Sequence, residues 1–232
     1  MACVGLIVPP RKGRVPPDAA AMYPDVEFLV TGIGLGAMAE DAYAAAIGRV
    51  EAASRDLAEG GAKAVLLYGT SLSFFRGPAG NRRLEHAMTA ASGLPAKTLT
   101  SALVEGLRGL GARRIAVATA YDDDVNALFV GYFESEGFEI LSIAGLGMVS
   151  LAEVEDTGEQ AIAAIARSVR AQAPGADAMV VSCAGLTTST ICPRLEEEFA
   201  IPVVSSAMVG SWAAVRLIGH SGAADGYGRL YG

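Results

Sequence analysis

The segment MVVSCAGLTT, residues 179–188, is an apolar run that stops at a thiol, Cys183, followed by Ala184 and Gly185. Small residues in succession let backbone N–H groups converge on an anion. A thiol held there can serve as nucleophile, base or acid, its pKa set by those dipoles against burial. The alternative is a packing role, because free cysteine is commonly a small core hydrophobe. A second run, LLYGTSLSFF at residues 66–75, ends in the same manner with Gly69 at the comparable place. Thr70 and Ser71 follow and offer hydroxyl and backbone donors, or an ordinary cap for the next helix. A third run, IAVATAY, ends at Tyr121 before Asp122, Asp123 and Asp124. Asp at a strand-to-helix junction caps the helix and meets the positive end of its dipole, so capping is expected in preference to a metal.

Other chemistry finds little support. The two histidines, His86 and His220, have no metal-ligand spacing, and Cys192 beside Pro193 is expected to be structural. The turn after Tyr68 lacks the Gly-Lys-Ser/Thr of a phosphate loop, and GIGLG at 32–36 lacks a third glycine at its proper place. What remains is a set of hydroxyl and backbone donors around one thiol, with no metal and no cofactor expected. Donors of that kind suit a carboxylate whose charge becomes an enediolate.

The elements that must position these residues alternate. Short apolar runs (CVGLIV, VEFLVT, AKAVLLY, RRIAVAT, FEILSI, DAMVVS, IPVVS) are separated by Ala-rich helical patterns such as DAYAAAIGRVEAASRDLAEG, LTSALVEGLRGLG and TGEQAIAAIARSVRAQ. Thr157 with Gln160 reads as a capping box, and Gly111 as the left-handed end of a helix. This alternation predicts an α/β fold with mainly parallel sheets. The pattern runs through twice, which predicts two similar half-domains, 1–95 with 206–232 and 96–205. Ligands of open α/β sheets bind beyond the carboxyl ends of strands, so two facing halves would put the GTSLS and SCAGL turns in one cleft.

A chain of 232 residues can bury a substantial core. Its net charge of −7 and lack of a basic block argue against nucleic acid. No apolar run is long enough for a membrane span. The opening MACVGLIVPPRKG reads as a strand and not a signal peptide. Three sparse cysteines, without a CxxC pair, fit a reducing cytosol. A cytoplasmic globular protein is expected.

Six segments, VGLIVPP, YPDVEFLVTGIGLG, GTSLSFFRG, RRIAVATAYDDDVN, SCAGL and GYGRLY, together resemble the bacterial arylmalonate decarboxylases. That family lies within the aspartate/glutamate racemase superfamily, and the resemblance extends from the first strand to the last residues. It implies two Rossmann-like halves related by a pseudo-twofold axis, with the active site between them. Racemases and maleate isomerases of the superfamily carry a cysteine on each side of the cleft. Here, as in the decarboxylases, the first position is glycine, Gly69, and only Cys183 remains. Two opposed thiols can take a proton from one face and return it on the other, whereas a single thiol serves one face.

The resemblance further implies cofactor-free decarboxylation of an α-aryl or α-alkenyl malonate to one enantiomer, with Cys183 protonating the enediolate. One carboxylate would sit in a dioxyanion hole of Thr70, Ser71, Tyr121, Cys183 and the N–H groups of Ala184 and Gly185. The departing one would be pressed into an apolar pocket of Leu35, Met38, Tyr43, Leu151 and Val154, and the aryl group would lie near Pro9 and Gly69. The expected partner is a small dicarboxylate, and the expected state a monomer. Ala184 replaces a second glycine of the family, and Met38, Leu151 and Val154 differ in size or shape from its pocket residues. A maleate isomerase, an amino-acid racemase and a non-catalytic carboxylate-binding protein are the rival readings. The first two would want a second thiol or an ammonium-binding acid, and Gly69 counts against both.

Overall fold

The computed structural model describes residues 3–232. The first half of the chain builds β1 (Cys3–Val8), α1 (Pro17–Met22), β2 (Glu27–Gly32), α2 (Glu40–Ile47), α3 (Val50–Glu59), β3 (Val65–Leu67), α4 (Thr70–Phe74), α5 (Gly77–Ser92), β4 (Ala96–Thr98) and α6 (Leu99–Gly109). The second half follows with β5 (Arg114–Thr119), α7 (Asp123–Ser135), β6 (Glu139–Gly145), α8 (Leu151–Glu155), α9 (Glu159–Gln172), β7 (Ala178–Ser182), α10 (Ile191–Phe199), β8 (Val203–Ser205) and α11 (Ser206–Leu217). Two four-stranded sheets result, ordered β2-β1-β3-β4 and β6-β5-β7-β8. Every pairing is parallel, so both halves carry the same doubly wound topology.

The apolar runs account for this arrangement. β1, β3 and β7 are buried along their whole length, as expected of parallel strands covered on both faces. Helix α3 buries Val50, Ala53, Ser54 and Leu57, the i, i+3, i+4, i+7 stripe of a helix lying on a sheet. α11 is buried on nearly every side because it lies between the halves, touching β1 and β3 as well as β7 and β8. Tyr68, just past β3, donates to the Ala207 carbonyl of α11 at 2.5 Å and pairs with Ser211 at 3.0 Å. Gly111 has φ of +70° where α6 gives way to β5. Among the described residues no helix is long and apolar enough to cross a membrane.

Three local expectations are corrected. Thr157 and Gln160 form no capping box: α9 starts from Gly158 without a side-chain cap, because the Thr157 hydroxyl donates instead to the Glu153 carbonyl at 2.9 Å. The box belongs to Ser150 and Glu153, which start the short helix α8. The segment after Ala39 is two helices and not one, broken at Gly48 and Arg49, where the Arg49 guanidinium donates to the Gly34 carbonyl at 3.1 Å. Ala96–Thr98 joins the first sheet as the edge strand β4, so that sheet reaches past the boundary expected near residue 95. A three-residue edge strand containing Lys97 has no apolar run to announce it.

Candidate active site

The carboxyl ends of β1, β3, β5 and β7 converge on one cavity of about 630 Å³ between the two sheets. Two residues beyond β3, Gly69 is the extended N-cap of α4, and Thr70 and Ser71 form the first turn of that helix. Both hydroxyl residues are buried, and the Thr70 Oγ1 has no hydrogen-bond partner within the protein. Buried polar atoms are nearly always paired, so this orphan, enclosed in the cavity wall beside the Tyr121 hydroxyl, has a hydrogen bond left to make.

Tyr121 follows β5. Its backbone N–H donates to the Thr119 hydroxyl at 3.2 Å, while Asp122 caps α7 by accepting from the Val125 N–H at 3.0 Å. Its ring stands edge-on to Phe74 at 6.0 Å, and Phe74 meets Phe129 in the same way at 5.6 Å. These aromatics hold the tyrosine across the seam between the halves. Ser182 donates to the Tyr121 hydroxyl oxygen at 3.3 Å, which leaves the phenolic proton for another acceptor. Burial raises the Tyr121 pKa, so the group stays a neutral donor.

Cys183 follows β7 with φ of +152°, a conformation rare outside glycine and costing about 1–3 kcal/mol. It is only 6 % exposed. Burial pushes its thiol up to about 11, although the Gly185 N–H and the Tyr121 hydroxyl both approach the sulfur and pull the other way. The thiol is therefore protonated at neutral pH. Ala184 avoids the positive-φ region, so the strain of this turn rests on Cys183 and not on the Gly-to-Ala departure. Gly185 is held to glycine by Val154, whose Cγ1 would lie 2.9 Å from an added Cβ.

The anchor of the turn comes from the opposite half. Asp18, in the first turn of α1, is 1 % exposed. Its carboxylate accepts from the Thr188 N–H at 2.9 Å, the Ser189 N–H at 3.1 Å and the Thr188 hydroxyl at 2.6 Å. Roofing the cavity, the loops after β2 and β6 meet through a 3.1 Å bond from the Met38 N–H to the Val149 carbonyl.

Pro9, Leu35, Met38, Gly69, Thr70, Ser71, Tyr121, Leu151, Cys183, Ala184 and Gly185 all line this cavity. Tyr43 and Val154 do not. They stand behind the wall, Tyr43 fully buried with its ring 5.3 Å from Phe75 and Val154 wedged against Gly185. The cavity also takes in residues that no sequence motif flagged, notably Lys12, Arg14, Glu155, Asp156 and Thr187. Nothing local marks them, because each belongs to a polar loop or helix end that packing alone brings to the mouth. Asp18 was equally unmarked, although a Pro-Pro-Asp before an Ala run is a helix-start signal. Among the described residues no group of three His, Cys, Asp or Glu is placed to hold a metal ion.

A carboxylate-sized ligand entering the cavity would meet hydroxyl donors from both sheets and a protonated thiol on one side. Gly69 contributes only hydrogen on the other side, and a Cβ there would press on the Pro9 ring at 3.3 Å and lie 3.4 Å from the Leu72 Cβ, a tight fit that small shifts could relieve. Residues 4–231 match the family model described as arylmalonate decarboxylase. The chain belongs to the arylmalonate decarboxylase family. By that membership it is an enzyme, a carboxy-lyase. It is 41 % identical to arylmalonate decarboxylase of Bordetella bronchiseptica, over 98 % of this chain and 95 % of the relative. A liganded double mutant of arylmalonate decarboxylase, with one glycine changed to cysteine and one cysteine to serine, superposes with a TM-score of 0.97 at 40 % identity, covering 100 % of this chain and 99 % of the other. Maleate isomerase of Nocardia farcinica is 30 % identical over 98 % of this chain and 94 % of that protein.

Proposed function

We propose that the protein decarboxylates α-aryl or α-alkenyl malonates bearing a second α-substituent, releasing one enantiomer of the monocarboxylic acid without added metal or cofactor. The observation that carries this reading is the convergence, in one cavity, of the protonated Cys183 thiol, the unpartnered Thr70 hydroxyl and Gly69.

In this reading Thr70, Ser71, Tyr121 and the N–H groups of Ala184 and Gly185 hold the carboxylate that stays. The other carboxylate faces Leu35, Met38 and Leu151, where apolar walls in place of water favour its loss. Tyr43 and Val154 act one layer back, Tyr43 by packing on Phe75 and Val154 by pressing on Gly185 from behind. The bond from Cα to the departing carboxylate breaks, CO2 leaves, and its electron pair passes into the remaining carboxylate as an enediolate. Preorganised donors stabilise that developing charge. The Cys183 proton then forms the new C–H bond on one face, and the resulting thiolate recovers a proton from solvent. The aryl group lies toward Pro9 and Gly69, where a missing side chain leaves room. With no thiol at Gly69, the opposite face receives no proton, which separates this reading from isomerisation or racemisation.

The test is CO2 release and product chirality with 2-methyl-2-phenylmalonate. Wild type is expected to give one enantiomer. Cys183→Ala should lower turnover by about 10²–10⁴-fold, the usual worth of a positioned proton donor, and Thr70→Val by about 10²–10³-fold, as for loss of one oxyanion donor. No release by wild type, with maleate, aspartate or glutamate turned over instead, would assign the cavity to another reaction of the superfamily.

A further inference from the structure

The proposed chemistry leaves two cations in the cavity without a task. Lys12 and Arg14 line its mouth from the loop between β1 and α1, PPRKGRVPP, and neither has an ion-pair partner among the described residues. Both are solvent-exposed. Prolines at 9, 10, 16 and 17 restrict the loop at both ends. Between them the loop lies hard against β2. A Cβ on Gly32 would come within 2.2 Å of the Pro10 carbonyl oxygen, and one on Gly13 within 3.1 Å of the Val30 carbonyl oxygen. Gly13 is thus turned to the sheet, while Lys12 and Arg14 on either side of it border the cavity. In a chain of net charge −7, this concentration of positive charge runs against the overall balance.

The cavity is also larger than the reacting core requires. About 630 Å³ lies within the range of sites that take drug-sized ligands, whereas a methylphenylmalonate is far smaller. The lining also includes Glu155 and Asp156, at the end of α8. They repel an anion from their side and leave the β1–α1 loop as the favourable one. Both malonate carboxylates already have their places, at the hydroxyl donors and at the apolar wall.

We propose that the natural substrate carries a further anionic group, such as a carboxylate, sulfonate or phosphate, at the far end of its aryl or alkenyl substituent, and that Lys12 and Arg14 bind it. This rests on the decarboxylase reading and supplies the substrate class that reading leaves open. Lys12 and Arg14 are then specificity residues, distant from the bond that breaks.

The experiment compares kcat/KM for three compounds: 2-methyl-2-phenylmalonate, its 4-carboxyphenyl analogue and the neutral, nearly isosteric 4-carbamoylphenyl analogue. Wild type should favour the carboxy over the carbamoyl compound by about tenfold, the scale of two partly screened charge contacts. That ratio should shrink as ionic strength rises and fall to about one in Lys12→Gln/Arg14→Gln. Glu155→Gln/Asp156→Asn should raise it. A wild-type ratio near one overturns the proposal. So does a double variant that slows all three compounds by the same factor, because the cations would then only steer the malonate itself. Absence of CO2 release from any of the three overturns the decarboxylase reading, and is distinguishable from turnover without preference.

Discussion

At the scale of single residues, Cys183 joins an unfavourable backbone conformation to a thiol that burial keeps protonated. A proton donor must hold its proton until the enediolate forms, so the raised pKa suits that role better than a nucleophile's. Product formation with one chirality should therefore be constant through neutral pH and decline only as pH approaches about 11. A decline centred near the ordinary thiol value of 9.0 would mean that the thiol is solvated during turnover. Stability follows the same sign. The folded-state pKa is raised, so this contribution is complete below 9.0 and is lost as pH rises through about 11. The thiol and its neighbouring hydroxyls were legible because each closes an apolar strand. Lys12 and Arg14 were not, since a short basic loop reads as a solvated turn until packing sets it beside a cavity.

At the scale of elements, α1 illustrates how a short helix serves a site on the other half of the molecule. It has only six residues and no side-chain cap, and the acidic residue in its first turn makes no bond to its own N-terminus. Asp18 instead binds the segment that follows Cys183. Replacing the carboxylate by an amide in Asp18→Asn puts a donor against backbone donors. The cost of one mispaired buried group is about 1–3 kcal/mol, which for a chain of this length lowers Tm by about 2–12 °C. If the tie also positions the thiol, the enantiomeric purity of the product should fall in that variant at temperatures where it is fully folded. Retained purity with a lowered Tm would leave Asp18 a purely structural role. The misplaced capping box has a related cause. Thr157 and Gln160 match the motif, but α8 ends immediately before them and engages the Thr157 hydroxyl.

At the scale of the whole molecule, one continuous apolar core spans both sheets, and the seam is closed by α11, by the Tyr121–Phe74–Phe129 contacts and by the Met38–Val149 bond. Such a molecule should unfold in a single thermal transition. A monocarboxylate product analogue such as phenylacetate, bound between the halves at about 100 times its Kd, should add about 2.7 kcal/mol and raise Tm by about 5–10 °C. Calorimetry showing two transitions, or a shift in only part of the melt, would contradict a ligand site shared by both halves. The sequence by itself determined the alternating α/β pattern, the doubled parallel sheets and the strand-end turns that carry Gly69, Tyr121 and Cys183. Hydrophobic periodicity and turn chemistry are local, and they survive in a linear reading. Only the tertiary structure decided that β4 completes the first sheet, that Tyr43 and Val154 stand behind the cavity wall, and that Asp18, Lys12, Arg14 and the end of α8 reach the site. Those placements depend on how separate segments pack across the seam, and packing between segments leaves no periodic trace in either of them.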